Sequence, residues 1–122
     1  EEVILVQQYR PGPSKVLLEL PGGGIEPEEE ARAAAERELL EETGYRGELE
    51  LVTDSWENAY STLHRYNFVA RNCVKVADLN LDDDEFIEVV RMPLDEYRKH
   101  LKTGQGTDTE SAYLCLDHLG LL

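Results

Sequence analysis

Three glutamates define the chemistry open to this chain. The stretch from Glu29 to Thr43 is rich in Ala, Glu, Arg and Leu, which favours a helix. On that helix Glu38, Glu41 and Glu42 stand at i, i+3 and i+4, on one face. Like charges so placed repel one another and weaken the helix. A hard divalent cation, in contrast, needs such a cluster: Mg2+ takes oxygen ligands, keeps several waters and bridges to substrate phosphates. Just ahead, Pro21-Gly22-Gly23-Gly24 breaks regular structure, and glycines there let backbone approach a ligand closely. A carbonyl of this turn could add one more oxygen ligand. Taken separately, a glycine turn and an acid-rich helix also describe an ordinary solvated surface.

The joint spacing narrows these alternatives. From Gly23, five residues lead to Glu29 and seven more to Arg37-Glu38-Leu39-Leu40-Glu41-Glu42-Thr43-Gly44-Tyr45. This resembles the Nudix box, G-x5-E-x7-R-E-U-x-E-E-x-G-U with U bulky and apolar, at every specified position. The resemblance implies Glu38 and Glu42 as main Mg2+ ligands, with Mn2+ a possible substitute. Glu41 assists, and the Gly22 carbonyl is a further candidate ligand. Glu29 and Arg37 become supports, a salt bridge holding loop to helix. One departure is local: Glu28 stands where relatives often carry Gly.

Two segments outside the box resemble the ADP-ribose and ADP-sugar pyrophosphatase group. Gln8-Tyr9-Arg10-Pro11 looks like that group's Q-Y/F-R-P, whose Arg contacts substrate, so Arg10 is the candidate here. Asp84-Glu85-Phe86-Ile87-Glu88-Val89 looks like its loop-to-strand segment, which makes Glu85 the candidate for orienting or deprotonating the attacking water, with Glu41 next in line. Like-charge crowding in the Asp82-Asp83-Asp84 loop could raise the Glu85 pKa toward a useful range. The stretch Trp56 to Ser61 departs from the group. Trp56 and Tyr60 there could stack on a purine, or serve as core or dimer contacts. The reaction implied is hydrolysis of a nucleoside diphosphate linked to another group, as in ADP-ribose to AMP and ribose 5-phosphate. Alternatives are a Nudix hydrolase of nucleoside triphosphates, GDP-mannose or dinucleoside polyphosphates, and a module that senses a nucleotide without cleaving it.

The elements that must position these groups follow from patterning. Val3 to Gln8 is a strand-length apolar run, Arg10 to Ser14 a turn, and Val16 to Leu20 a second strand. Pro27 and Glu28 to Glu30 suit a helix's first turn, and Gly44 is a natural stop. Glu48 to Val52 alternates as a half-buried strand does. His64 to Ala70 is another strand, Val74 to Val76 a short one, and Phe86 to Arg91 a third. Pro93 opens a helix to about Lys102. Asp108 or Thr109 caps a last helix reaching Leu119. The order predicts an α/β (α+β) fold, a mixed β-sheet sandwiched between helices, as the Nudix resemblance also implies.

The chain has 122 residues, 41% of them hydrophobic, which fits a single domain over residues 1–122. Its net charge of −14 opposes broad binding to nucleic acid or anionic membranes. A small phosphate ester stays compatible, because bound metal inverts the local charge. Cys73 and Cys115 lack ligand-like spacing and read as free thiols. The absence of a signal peptide or long apolar run predicts a cytoplasmic protein. The family resemblance implies a homodimer. Strand-like sequence begins almost at Glu1, which leaves preceding N-terminal strands open.

Overall fold

The computed structural model describes residues 1–79, 81 and 86–122. Two antiparallel hairpins make the framework. Strand β1 (Glu2–Arg10) turns at Pro11–Ser14 into β2 (Lys15–Glu19). Their register runs from Val6 opposite Glu19 to Arg10 opposite Lys15. On its other edge β1 pairs with β5 (Glu88–Pro93), Glu2 opposite Pro93 and Gln7 opposite Glu88. The sheet order β2-β1-β5 puts β1 in the centre, which explains its unbroken Val3-Ile4-Leu5-Val6 run.

The second hairpin joins β3 (Tyr45–Trp56) to β4 (His64–Lys75), with register shifts between Arg46 and Glu48 and between Leu51 and Thr53. The two short strands expected at His64 to Ala70 and Val74 to Val76 are thus one continuous β4 ending at Lys75. β3 likewise outruns the expected segment at both ends. The α+β class is as expected, and within it the described strand pairs are all antiparallel and form two sheets.

Helices α2 (Leu94–Leu101) and α3 (Thr109–Leu119) close the core. Tyr97 and Leu101 of α2 and Ala112 and Leu116 of α3 pack with the fully buried Leu5. Val3, Leu18, Val90 and Met92 flank them from the sheet. Burying one such large apolar side chain contributes about 1.5–3 kcal/mol, and this cluster is where sheet and helices are fastened. Among the described residues no helix is long and apolar enough to cross a membrane.

Helix α1 (Ala31–Thr43) packs mainly on β3, with further contacts to β4 and β1. Its buried residues are Ala34, Glu42 and Thr43, so the inward face carries a carboxylate rather than only apolar side chains. It begins two residues later than the sequence suggests. Pro27 and Glu28 form a turn closed by the Glu29 N–H on the Glu26 carbonyl, 3.0 Å, so the three glutamates precede the helix instead of opening it. At the other end Gly44 is left-handed, φ 78, and its N–H bonds the Leu40 carbonyl at 2.8 Å. A Cβ at Gly44 would lie 2.1 Å from the Ala77 carbonyl oxygen, so conformation and space both demand glycine there.

Candidate functional site

The loop between β2 and α1 is held by charge. Arg37 donates from Nε and Nη2 to the two carboxylate oxygens of Glu29, at 2.9 and 3.0 Å. Its Nη2 also reaches the Gly24 carbonyl at 3.0 Å, and Nη1 reaches Glu38 at 2.9 Å and Glu41 at 3.4 Å. Glu29 returns a bond to the loop by accepting the Glu26 N–H at 3.0 Å. The fork-on-carboxylate geometry makes the pair directional as well as attractive. It holds the Glu29 carboxyl down at about 2, chiefly through Arg37 and then through the Glu26 amide. Glu29 and Arg37 thus occupy the supporting place expected of them.

Glu28 is the third residue of the Glu26–Glu29 turn and has φ 65. That position in a type II turn favours glycine, because a side chain there costs about 1–2 kcal/mol. The departure from the family pattern is therefore accommodated by backbone strain at a single residue.

The three glutamates of the box differ in setting. Glu42 is buried, 6% exposed, and accepts the Gly22 N–H at 2.8 Å. A carboxylate removed from water needs such a donor or a cation. Glu38 lies against Gly23, where an added Cβ would come within 2.5 Å of its Oε1, so a side chain at Gly23 would push the Glu38 carboxylate aside. Glu41 is the most open of the three, its side chain 37% exposed. An open groove beside this turn is bordered by Arg10, Glu19, Gly22, Glu38, His64 and Tyr66 among others.

Arg10 reaches that groove but is already engaged. Its Nε and Nη2 donate to the two oxygens of Glu19, both at 2.7 Å, and Glu19 is buried. This pairing raises the Arg10 pKa further. Among the described residues its Nη1 makes no hydrogen bond. Trp56 ends β3 and Tyr60 stands 97% exposed in the following loop, and neither borders the groove. Trp56 packs instead on His64, ring centres 4.3 Å apart, and His64 lies 6.4 Å from Tyr66. Glu85 lies outside the described residues.

Two participants were not foreseen from the sequence. Glu19 could have been, since it follows Leu17 on the inward side of a strand, and a buried acid there calls for a partner. Asp108 was foreseen only as a helix cap. It sits at the α3 N-cap position without a side-chain cap bond, and its Oδ2 accepts the Leu20 N–H at 2.6 Å. Burial pushes its pKa up, against the opposing pull of the Leu20 bond. Cys73 and Cys115 are free and half-buried, as expected, and burial raises both thiols.

A family model described as the NUDIX domain matches residues 1–112. This chain belongs to the NUDIX family. It is 32% identical over 113 residues to the methanol dehydrogenase activator of Bacillus methanolicus, covering 90% of this chain and 61% of that protein. It is 30% identical over 115 residues to the ADP-ribose pyrophosphatase of Bacillus subtilis (strain 168), covering 92% and 62%. The NUDIX chain thus spans about three fifths of the length of these relatives. A solved structure titled as an ADP compounds hydrolase superposes on 99% of this chain and 69% of its own, with a TM-score of 0.77 and 25% identity.

The donor set of the NUDIX box fits a hard cation. It offers carboxylate oxygens and a glycine turn close against Glu38, where a Cβ at Gly23 would displace the carboxylate. Among the described residues no three His, Cys, Asp or Glu side chains converge as a ligating group, since Arg37 shares Glu38 and Glu41 while Gly22 engages Glu42. One or two carboxylates would be enough for a divalent cation whose remaining positions are filled by waters and phosphate oxygens.

Proposed function

We propose that this NUDIX chain is a Mg2+-dependent pyrophosphohydrolase that cleaves a nucleoside diphosphate linked to another group, with ADP-ribose or an ADP-sugar as substrate. One observation carries the reading: the glycine turn is closed onto the carboxylate face of α1, with Gly22 bonded to buried Glu42 and Gly23 against Glu38. The similarity to an ADP-ribose pyrophosphatase and to an ADP compounds hydrolase supports the substrate class.

In this proposal Glu38 and Glu42 would be the main ligands of the cation, with Glu41 assisting and the Gly22 carbonyl as a further ligand. Bound Mg2+ neutralises diphosphate charge and lowers the pKa of water. Arg37 and Glu29 keep the loop on the helix while substrate binds. Arg10, steadied by Glu19, directs its Nη1 edge to the substrate, and Trp56 and Tyr60, exposed outside the groove, offer faces for a base that extends beyond it. Glu85 orients the attacking water and takes its proton, with Glu41 as the substitute base. The water oxygen bonds to one phosphorus as the P–O–P bridge breaks, giving AMP and ribose 5-phosphate from ADP-ribose. Positioning and charge stabilisation supply most of the acceleration. A cytoplasmic homodimer is part of the same proposal, and sedimentation of the purified chain tests the assembly.

A substrate panel tests the reaction. ADP-ribose, an ADP-sugar, GDP-mannose, a nucleoside triphosphate and a dinucleoside polyphosphate would each be incubated with and without Mg2+. The expected result is AMP from ADP-ribose only when Mg2+ is present. Preference for a triphosphate or GDP-mannose would reassign the substrate. Tight binding with no turnover under Mg2+ or Mn2+ would make the chain a sensing module. In the same assay Glu85→Gln should lower kcat on the order of 10²-fold or more with a smaller change in KM. Unchanged kcat would move the base to Glu41.

A further inference from the structure

The glycine turn is fastened at its entrance by a residue of the last helix. Strand pairing of β2 with β1 ends at Glu19 opposite Val6, so Leu20 is the first residue to leave the ladder. Its N–H donates to Asp108 Oδ2 at 2.6 Å, across 88 residues of sequence. Two residues on, the Gly22 N–H donates to Glu42 at 2.8 Å. Just before, Glu19 takes the Arg10 fork. The entry to the turn is therefore gripped from β1, α3 and α1 in succession.

The Asp108 bond is unusual for its position. Aspartate at an N-cap ordinarily accepts an amide of its own helix, which is worth about 1 kcal/mol. Asp108 occupies the cap of α3 but makes no side-chain cap bond. The carboxylate is spent on the Leu20 amide instead. α3 itself is anchored through Ala112 and Leu116 in the core with Leu5, independently of the Asp108 side chain. Glycines carry the largest backbone entropy of any residue, and Gly22-Gly23-Gly24 would sample many conformations without a fixed end.

We propose that Asp108 is a positioning residue of the hydrolytic site: by holding Leu20, it sets where the Gly22 carbonyl and the Gly22–Glu42 bond stand for the cation. This rests on the reading of the glycine turn as part of the cation site. Asp108 acts through the backbone and touches no substrate. Loss of an outer partner of this kind costs about 10–100-fold in metal affinity.

The test separates the clamp from the cap. Asp108→Ser keeps a good helix cap but is one atom shorter toward Leu20. Asp108→Asn keeps both the length and an accepting oxygen. Leu116→Ala weakens α3 in the core and serves as the control for lost stability. Each full-length variant would be measured for Mn2+ binding by electron paramagnetic resonance, for the Mg2+ concentration at half-maximal rate, and for Tm. The expected result is an increase of about tenfold or more in both metal constants for Asp108→Ser, restoration to within a few fold for Asp108→Asn, and wild-type constants for Leu116→Ala despite its lower Tm. Wild-type constants in Asp108→Ser, or an equal loss in Leu116→Ala, would overturn the inference. Should the parent bind Mn2+ yet cleave no compound of the panel, the functional reading fails while the Mn2+ arm still decides the role of Asp108. A parent that binds no Mn2+ would overturn both.

Discussion

Two irregular segments near the groove are built on opposite plans. The turn from Pro21 to Glu30 is tied outward: Gly22 to Glu42, Gly24 to Arg37, and Glu26 to Glu29, which is itself forked by Arg37. The loop after Trp56 is tied mostly to itself. Its amide bonds run from Glu57 to the Leu63 carbonyl, from Tyr60 to the Asn58 side chain and from Leu63 to the Ser61 hydroxyl. Its large side chains face water, Trp56 at 60% and Tyr60 at 97% exposure. A segment held by charge-assisted bonds from several elements keeps atoms in fixed places, as cation chemistry requires. A segment closed only on itself can adapt or diverge at little cost to the fold. The contrast matches the division in the proposed function, with chemistry on the first segment and choice of substrate on the second.

The sharpest way to break this contrast is Glu42→Gln. The amide oxygen can still accept the Gly22 N–H, so Tm should change little, while removal of the charge should lower kcat on the order of 10³-fold. A Mg2+-dependent rate close to the parent's would take chemistry away from the turn. Trp56→Ala probes the other segment. Stacking of a base is worth about 1–3 kcal/mol, so KM should rise on the order of tenfold with kcat nearly constant. A fall in kcat at constant KM would place the hairpin tip in the chemistry and erase the distinction.

The smallest effect concerns how the first segment is fastened. The Glu29 carboxyl is held at about 2 against an ordinary 4.5. A depressed acid adds stability that is complete above its unfolded pKa and is lost as pH falls through the folded one. The Tm difference between the parent and Glu29→Gln should therefore be constant above pH 4.5 and shrink between 4.5 and about 2. A gap that persists at pH 2 would show that the Arg37 pairing is not its source.

How far the sequence foretold these features depends on how local each one is. The box could be read because its residues lie on one turn and one helix, where spacing fixes the face. The stop at Gly44 was likewise local. The start of α1 was misplaced because Pro27 and three glutamates suit a helix's first turn as well as they suit the turn they form. The long β3 and β4 were under-read because much of both strands is exposed, which blurs the alternation that marks a half-buried strand. The Trp56 and His64 contact depends on cross-strand register. The Asp108 bond to Leu20 joins distant segments, and only tertiary packing brings them together. The Glu85 expectation falls on residues outside those described.

The central claim is that Glu38 and Glu42 on the α1 face would hold the cation, assisted by Glu41 and the Gly22 carbonyl. Anomalous diffraction from a crystal of this protein soaked in Mn2+ tests it most directly. The account predicts a peak within about 2–2.5 Å of carboxylate oxygens of Glu38 or Glu42, on the side of the helix facing Gly22. A well-occupied Mn2+ at the Asp82 to Asp84 run, with none on the α1 face, would contradict it.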